Sequence, residues 1–145
     1  MRRFFVLFVF FLCGCAGKVQ LNCSYIDNSS IFGSKKVNDL IEFKKDRIIY
    51  FERNIDFNIN LSGNKRDVYR IVKSEGKALK KYIGGKYRIN YNSDSIDMVF
   101  HVKRFNNLKY IGIDSEYGYD SVLSVYSELG FECKWKLVIL LTSCL

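Results

Sequence analysis

Apolar and polar side chains alternate along much of this chain, which is the pattern of half-buried β-strands. Residues 19–25 place Val, Leu, Cys and Tyr on one face and Gln, Asn and Ser on the other. Residues 57–61 repeat the alternation, and residues 47–52 form an apolar run rich in β-formers. Residues 37–43 fit a strand or a short helix equally well. The pattern therefore predicts a chain made mainly of strands.

Short turns divide the middle of the chain at the spacing of an antiparallel meander. Gly84-Gly85 suits the positive φ angles of a type I′ turn, and Asn106-Asn107 is a second two-residue turn candidate. Residues 62–64 are predicted to form another turn. The strands predicted between these turns are residues 68–72, 79–83, 86–91, 98–105 and 108–113.

One helix is predicted before the last strand. Asp120 is a candidate N-cap, and Gly130 lies where a C′ glycine would end the helix. The apolar face of this helix consists of Val122, Val125, Tyr126 and Leu129.

The last predicted strand alternates again. Its inward residues are Phe131, Cys133, Trp135 and Leu137, and its outward residues are Glu132, Lys134 and Lys136. The tail, residues 138–145, is almost wholly apolar. We interpret it as the end of a buried strand, and the alternative is an adhesive terminus that needs a partner.

Together these elements predict a mainly-β domain of about eight or nine antiparallel strands. We expect this meander to close into a small barrel or sandwich, with one short helix before the last strand. The strand order resembles that of the lipocalin-like barrels. Their early Gly-x-Trp motif is missing, since Trp135 is the only tryptophan. The resemblance is therefore one of strand order, and no residue roles follow from it.

The first fifteen residues have the layout of an export signal. Two arginines precede an apolar run at residues 4–12, which is too short to span a membrane. The run ends in Leu12-Cys13-Gly14-Cys15, which resembles the bacterial lipobox. The resemblance implies that Cys15 receives a diacylglyceryl group and, after cleavage, becomes the acylated first residue. Two or more acyl chains would anchor the protein stably to a membrane.

This resemblance divides the chain into a lipoprotein signal peptide, residues 1–15, and a single β-rich domain, residues 16–145. Ala16 is not an aspartate, which in this family favours the outer membrane if the cell has two membranes. The alternative is an ordinary signal peptide cut elsewhere, which would leave Cys15 as a plain thiol. We expect a protein of the bacterial cell envelope, attached to the membrane through its lipid.

The charge of the chain is positive but dispersed. Without Arg2 and Arg3, 21 of the 23 Lys and Arg remain against 15 Asp and Glu, a net charge of +6. No basic run is longer than two residues, so we predict no nucleic-acid partner.

Export would also place the domain where disulfides persist. Three cysteines remain after Cys15, and they allow at most one internal bridge. Cys23 and Cys133 share the apolar faces of the first and last strands, which would be neighbours in a closed sheet. We predict a bridge between them, with Cys144 as the rival partner for either one. The alternative is that both are free and buried.

No motif in the sequence indicates catalysis, a metal site or a cofactor. His101 is the only histidine, and the alternation of its strand points it outward. Asp114, Glu116 and Asp120 form an acidic cluster that is either a solvated turn or a binding loop. Their spacing is not that of an EF-hand. We therefore predict a protein that is not an enzyme.

Three functions stay open on this sequence. The first is an envelope lipoprotein that binds a protein partner or assists an envelope assembly. The second is a carrier of an apolar small ligand or lipid. The third is an inhibitor of a wall-degrading enzyme, acting through the acidic loop of residues 114–120.

Overall fold

The computed structural model describes residues 17–29, 33–59, 64–102 and 104–138. Six strands are β1 (Lys18–Asp27), β2 (Gly33–Lys44), β3 (Arg47–Ile59), β4 (Gly85–Tyr91), β5 (Ser95–Val102) and β6 (Glu132–Val138). Two α-helices are α1 (Lys65–Tyr82) and α2 (Tyr119–Glu128), and a 3₁₀ helix spans Phe105–Ile111. The strands form one antiparallel sheet in the order β4-β5-β3-β2-β1-β6.

The predicted fold class is confirmed: the chain is mainly β and antiparallel, and a helix precedes the last strand. The expected closure into a barrel or sandwich does not occur in the described residues, where β4 and β6 are the two edges of an open sheet. The helices explain the difference. They cover one face of the sheet and bury the apolar side chains that a barrel would bury by closing on itself.

Helix α1 replaces two of the predicted strands, residues 68–72 and 79–83, which is a correction to the sequence prediction. Its buried residues are Val68, Val72, Gly76 and Leu79, which recur at the helical spacing of three or four. Asn64 caps its first turn by accepting a hydrogen bond from the Arg66 backbone N–H at 2.9 Å. Gly84, with φ of 74°, follows its last turn. The predicted Gly84-Gly85 hairpin turn is therefore wrong: Gly84 ends the helix and Gly85 begins β4.

The 3₁₀ helix replaces another predicted turn and strand. Asn106-Asn107 lies inside this helix, and residues 108–113 do not form a strand. Leu108 and Ile113 are nevertheless fully buried, because the 3₁₀ turn places both against the core. The strand predicted at residues 108–113 is therefore wrong, although two of its apolar residues lie in the core.

Helix α2 has the predicted position, and Val122 and Tyr126 of its predicted apolar face lie in the core. Val125 is only half-buried, and Leu129, which follows the helix, is 54% exposed, so this part of the predicted face is wrong. Its N-cap is Gly118, two residues before the predicted Asp120. The missing cap side chain is supplied from the β2–β3 turn, where the Asp46 carboxylate accepts a hydrogen bond from the Tyr119 backbone N–H at 2.7 Å. Gly130 follows the helix with a positive φ, as predicted.

The core lies between the sheet and the helices. We call the helix-covered side of the sheet the inner face and the other side the open face. Residues on the inner face are buried across all the central strands, because every second residue points toward the helices. The core includes Leu21, Ile41, Phe51, Ile55, Met98 and Phe100 of the sheet, with Val72, Leu79, Val122 and Tyr126 of the helices.

One charged residue is fully buried within this core. Asp39 on β2 is 1% exposed and accepts two hydrogen bonds from Arg53 on β3, at 2.7 and 2.6 Å. The hydroxyl of Tyr126 on α2 donates to the same carboxylate. Burial acts to lower the pKa of Arg53, but the bonds and charge of Asp39 outweigh it and raise that pKa. Burial and the Asp39 charge raise the pKa of Tyr126 well above its usual value.

The edge strand β6 differs from its prediction. Trp135 and Leu137 were expected to be buried, yet they are 67% and 51% exposed. They do lie on the inner side of the sheet, opposite Leu21 and Val19 on β1. Strand β6 has no neighbour on its outer side among the described strands, so no side chain from a further strand covers them. The rest of the apolar tail, residues 139–145, lies outside the described residues.

Candidate functional site

The open face is a polar surface formed by alternate residues of the strands. Neither helix lies on it, since the buried side chains of both helices pack on the inner face. Alternate residues of the strands reach this open face. Leu40 and Val99 are apolar, and most of the others are polar or charged. Among them are Asn22, Ser24, Asn38, Glu52, Asn54, Asp56, Asp97, His101, Glu132 and Lys134, and none of these is fully buried.

A connected group of side chains lies on this face across β3 and β5. The Tyr50 hydroxyl donates to a Glu52 carboxylate oxygen at 2.6 Å, and the Asn54 amide donates to the other oxygen at 2.9 Å. His101 Nδ1 lies 3.1 Å from Glu52 and 3.3 Å from the Tyr50 hydroxyl. We name Tyr50, Glu52, Asn54 and His101 the open-face cluster. Its carboxylate has three partners, which fix its position on the surface.

Electrostatics hold the Glu52 carboxyl in its charged form. Partial burial acts to raise the pKa of Glu52. The hydrogen bonds from Tyr50 and Asn54, together with the nearby His101, lower that pKa by more than burial raises it. The pKa of Glu52 therefore lies below its ordinary value. Burial and the same carboxylate raise the pKa of Tyr50 to about 12, so that its hydroxyl remains a donor at neutral pH. The cluster presents a fixed negative charge beside a phenol and an imidazole.

A shallow depression of about 300 Å³ lies next to this cluster. Asn22, Asn38 and Asn54 come from three adjacent strands and line its floor, and Glu132 and Lys134 come from β6. The amides supply both donors and acceptors. The depression can therefore form several hydrogen bonds with a polar group that rests on the sheet.

Two carboxylates oppose each other directly on the same face. Asp56 on β3 pairs in register with Asp97 on β5. Burial and the charge of Asp97 raise the pKa of Asp56, and Lys36 offsets this in part. Amide groups hold both acids, since Asn38 donates to Asp56 at 3.5 Å and Asn92 donates to Asp97 at 2.6 Å. The open face is thus acidic around β3 and β5.

The predicted cysteine pair is brought together. Cys23 and Cys133 are register partners on β1 and β6, and their sulfur atoms lie 2.06 Å apart, at disulfide distance. The argument that placed them together assumed a closed sheet. They are neighbours instead because β1 is an inner strand with β6 on its outer side. Cys144 lies outside the described residues.

Of the other residues singled out in the sequence, His101 belongs to the open-face cluster and the acidic residues 114, 116 and 120 do not. His101 points outward, as predicted, but it joins a network that the sequence reasoning did not foresee. Asp114, Glu116 and Asp120 are exposed near the start of α2, and Asp114 accepts a hydrogen bond from the Glu116 backbone N–H at 3.0 Å. No group of three potential metal ligands occurs within the described ranges.

Cys15 and the signal peptide lie outside the described residues, so the lipid anchor stays a prediction. Within residues 17–138, as far as the structure describes them, no helix combines the length and apolarity that a membrane span requires.

The open-face cluster had a signal in the sequence. Positions 50, 52, 54, 56 and 58 are polar, and positions 51, 55, 57 and 59 are apolar, which is one long strand pattern. The sequence prediction treated residues 47–52 and 57–61 as separate strands, and this pattern was therefore missed. The buried Arg53 in the apolar phase also obscured the alternation.

Comparison with known proteins returns no relative. No protein-family profile, no curated protein and no solved structure matches this chain.

Proposed function

We propose that this chain is a non-enzymatic, lipid-anchored protein of the bacterial cell envelope that binds a protein partner through the open face of its sheet. The observation that carries the proposal is the uncovered polar open face with its fixed open-face cluster. Residues Leu12, Gly14 and Cys15 support the anchor through their resemblance to the lipobox.

The size of the open face fits a protein partner. Five strand spacings of about 4.8 Å and strands of about seven residues give a surface of roughly 600 Å². A partner covering it would bury roughly 1,200 Å² in total, near the lower limit of specific protein interfaces. A small ligand would need a concave, mostly apolar pocket, whereas the depression here is open and is lined largely by asparagine, serine and charged residues.

Charge gives the surface its selectivity. Glu52, Asp56 and Asp97 make the centre of the face acidic, and Lys134 and Lys136 lie toward the β6 edge. A partner with basic groups opposite β3 and β5 would bind in one orientation. The fixed position of Glu52 reduces the entropy lost on binding.

The experiment is site-specific photo-crosslinking in the native cell. A photoreactive phenylalanine analogue replaces Asn38 on the open face, and in the control it replaces Ser74, which is exposed on α1. We expect a discrete cross-linked product from position 38 and none from position 74. Adding Glu52→Lys should abolish the product, and adding Glu128→Lys on α2 should not. Equal cross-linking from both positions, or no effect of Glu52→Lys, would show that the open face is not the docking surface.

A second candidate function is inhibition of a wall-degrading enzyme. The observation that favours it is the exposure of Asp114, Glu116 and Asp120 on one segment next to α2. A basic enzyme would be attracted to this segment. A photoreactive residue at Glu116 that captures such an enzyme, while position 38 captures nothing, would favour this function over the first.

A further inference from the structure

The β6 edge carries two large apolar side chains that no described element covers. Trp135 is 67% exposed and Leu137 is 51% exposed, and both project from the inner side of the sheet. Helix α2 packs its buried residues farther in, around Tyr126. Contiguous exposed apolar surface often belongs to an interaction site.

This apolar pair lies where the chain enters the domain. Strand β1 runs antiparallel to β6, so that Val19 is opposite Leu137 and Lys18 is opposite Val138. A Cβ built on Gly17 would lie 3.3 Å from a methyl carbon of Leu137. Cys15 is two residues earlier and therefore within about 7 Å of Gly17. An acyl chain on Cys15 would leave the protein beside Leu137.

The same edge carries positive charge on its other side. Lys134 and Lys136 alternate with Trp135 and Leu137 along β6 and are both exposed. Tryptophan is enriched at the boundary between lipid and water, and lysines near a membrane surface attract anionic lipid headgroups. The β6 edge thus combines apolar side chains that can enter the interfacial layer with basic side chains that can contact anionic headgroups.

We propose that the β6 edge rests on the membrane, with Trp135 and Leu137 entering the interfacial layer and Lys134 and Lys136 contacting anionic lipid headgroups. This inference rests on the proposed lipid anchor, which holds the edge at the bilayer. It adds an orientation: the domain stands on one edge of its sheet, with β6 at the membrane and β4 farthest from it.

Trp135 provides a direct test because it is the only tryptophan in the chain. The full-length protein, expressed in cells with labelled palmitate, is reconstituted into vesicles of phosphatidylcholine and phosphatidylglycerol. Part of the phosphatidylcholine carries bromine on its acyl chains and quenches nearby tryptophan. We expect Trp135 emission to shift to shorter wavelength in plain vesicles and to lose about half of its intensity in brominated ones.

A matched pair of variants isolates the edge contact. Leu137→Ser removes the apolar neighbour of Trp135 beside the anchor, and Leu129→Ser removes an equally exposed leucine (54%) after α2, at the far end of β6. We expect quenching to fall in the first variant and to remain unchanged in the second. Equal quenching in both variants would contradict the inference.

The readouts separate this inference from the anchor. Incorporated palmitate with an unquenched, water-exposed Trp135 would overturn the edge contact and leave the anchor standing. Absent palmitate, with quenching when the same protein is added to vesicles, would support the edge contact alone. Emission already at short wavelength without lipid, and unchanged by lipid, would assign the surface to residues 139–145 or a second copy and would overturn the inference.

Discussion

Asp39 is the residue whose environment most constrains this fold. A carboxylate that is 1% exposed is tolerated only when its charge and lone pairs are satisfied. Arg53 satisfies both oxygens, and Tyr126 adds a donor from the helix above. The three residues come from β2, β3 and α2, so that their bonds fix the position of this helix over the sheet. A purely apolar contact would fix that position less narrowly.

Replacing Asp39 by Asn should therefore strongly destabilise the protein. The amide keeps the shape of the side chain but leaves the buried Arg53 charge without a counter-charge, which costs about 3 kcal/mol. We expect the free energy of unfolding in urea to fall by that amount.

The matched control is Asp67→Asn on α1. Asp67 pairs with Arg70 one turn later, at 3.3 Å, on an exposed surface. Exposed pairs contribute about 0.5 kcal/mol or less. If the Asp39 and Asp67 variants lose similar stability, the buried bonds do not have the role assigned to them.

At the scale of elements, the sequence predicted the strands better than the helices. The alternation of β1, the later part of β3 and β4 could be recognised in the sequence because each strand has one largely apolar and one polar face. Helix α1 was misread because Val68, Ile71 and Val72 are β-branched and were judged in a short window. Its buried residues are at positions 68, 72, 76 and 79, and buried residue 83 follows the helix. Their helical spacing is recognisable only when the whole length of the helix is considered.

The exposure of β6 could not be predicted from its own residues. The phase of Trp135 and Leu137 was correct, because they lie on the side that carries Leu21. The alternation does not show which strand forms the edge of the sheet or how far the helices extend over that strand. The open-face cluster was unpredictable for a related reason, since it depends on the register that places His101 opposite Glu52.

The packing of α1 on the sheet depends on Gly76. A Cβ built there would lie 2.8 Å from Met98 Sδ and from the Tyr87 ring, which is closer than atoms normally approach. Gly76→Val should therefore push the helix away from β4 and β5 and cost about 1–3 kcal/mol.

The control for Gly76→Val is Ser74→Val on the exposed side of the same helix. It adds a β-branched residue without a clash and should change stability by about 0.5 kcal/mol or less. Thermal unfolding of the two variants measures the difference. A Gly76→Val protein as stable as the Ser74→Val protein would contradict the close packing.

At the scale of the whole molecule, one bond joins the ends of a long chain segment. Cys23 and Cys133 are separated by 110 residues, and all the other described helices and strands lie between β1 and β6. Closing a loop of this length removes much of the freedom of the unfolded chain. The expected stabilisation is about 4–5 kcal/mol.

We expect the paired substitution Cys23→Ala with Cys133→Ala to lower the free energy of unfolding by that amount. A reductant should lower the stability of the wild-type protein similarly and leave the double variant unchanged. A reductant that destabilises both proteins equally would show that its effect does not come from this bond.

The same bond also determines how the domain would respond to mechanical load. If the proposed lipid anchor forms at Cys15 and a partner pulls the protein away from the membrane, the force would enter through that anchor and reach β1 within a few residues. At Cys23 it divides, because the disulfide passes tension directly to β6 while hydrogen bonds pass it to β2. Only the residues of β1 before Cys23 could be pulled away from the sheet before the disulfide itself bears the force. Under tension, such a tethered domain would unfold first at the start of β1, and the proposed partner-binding face would stay folded.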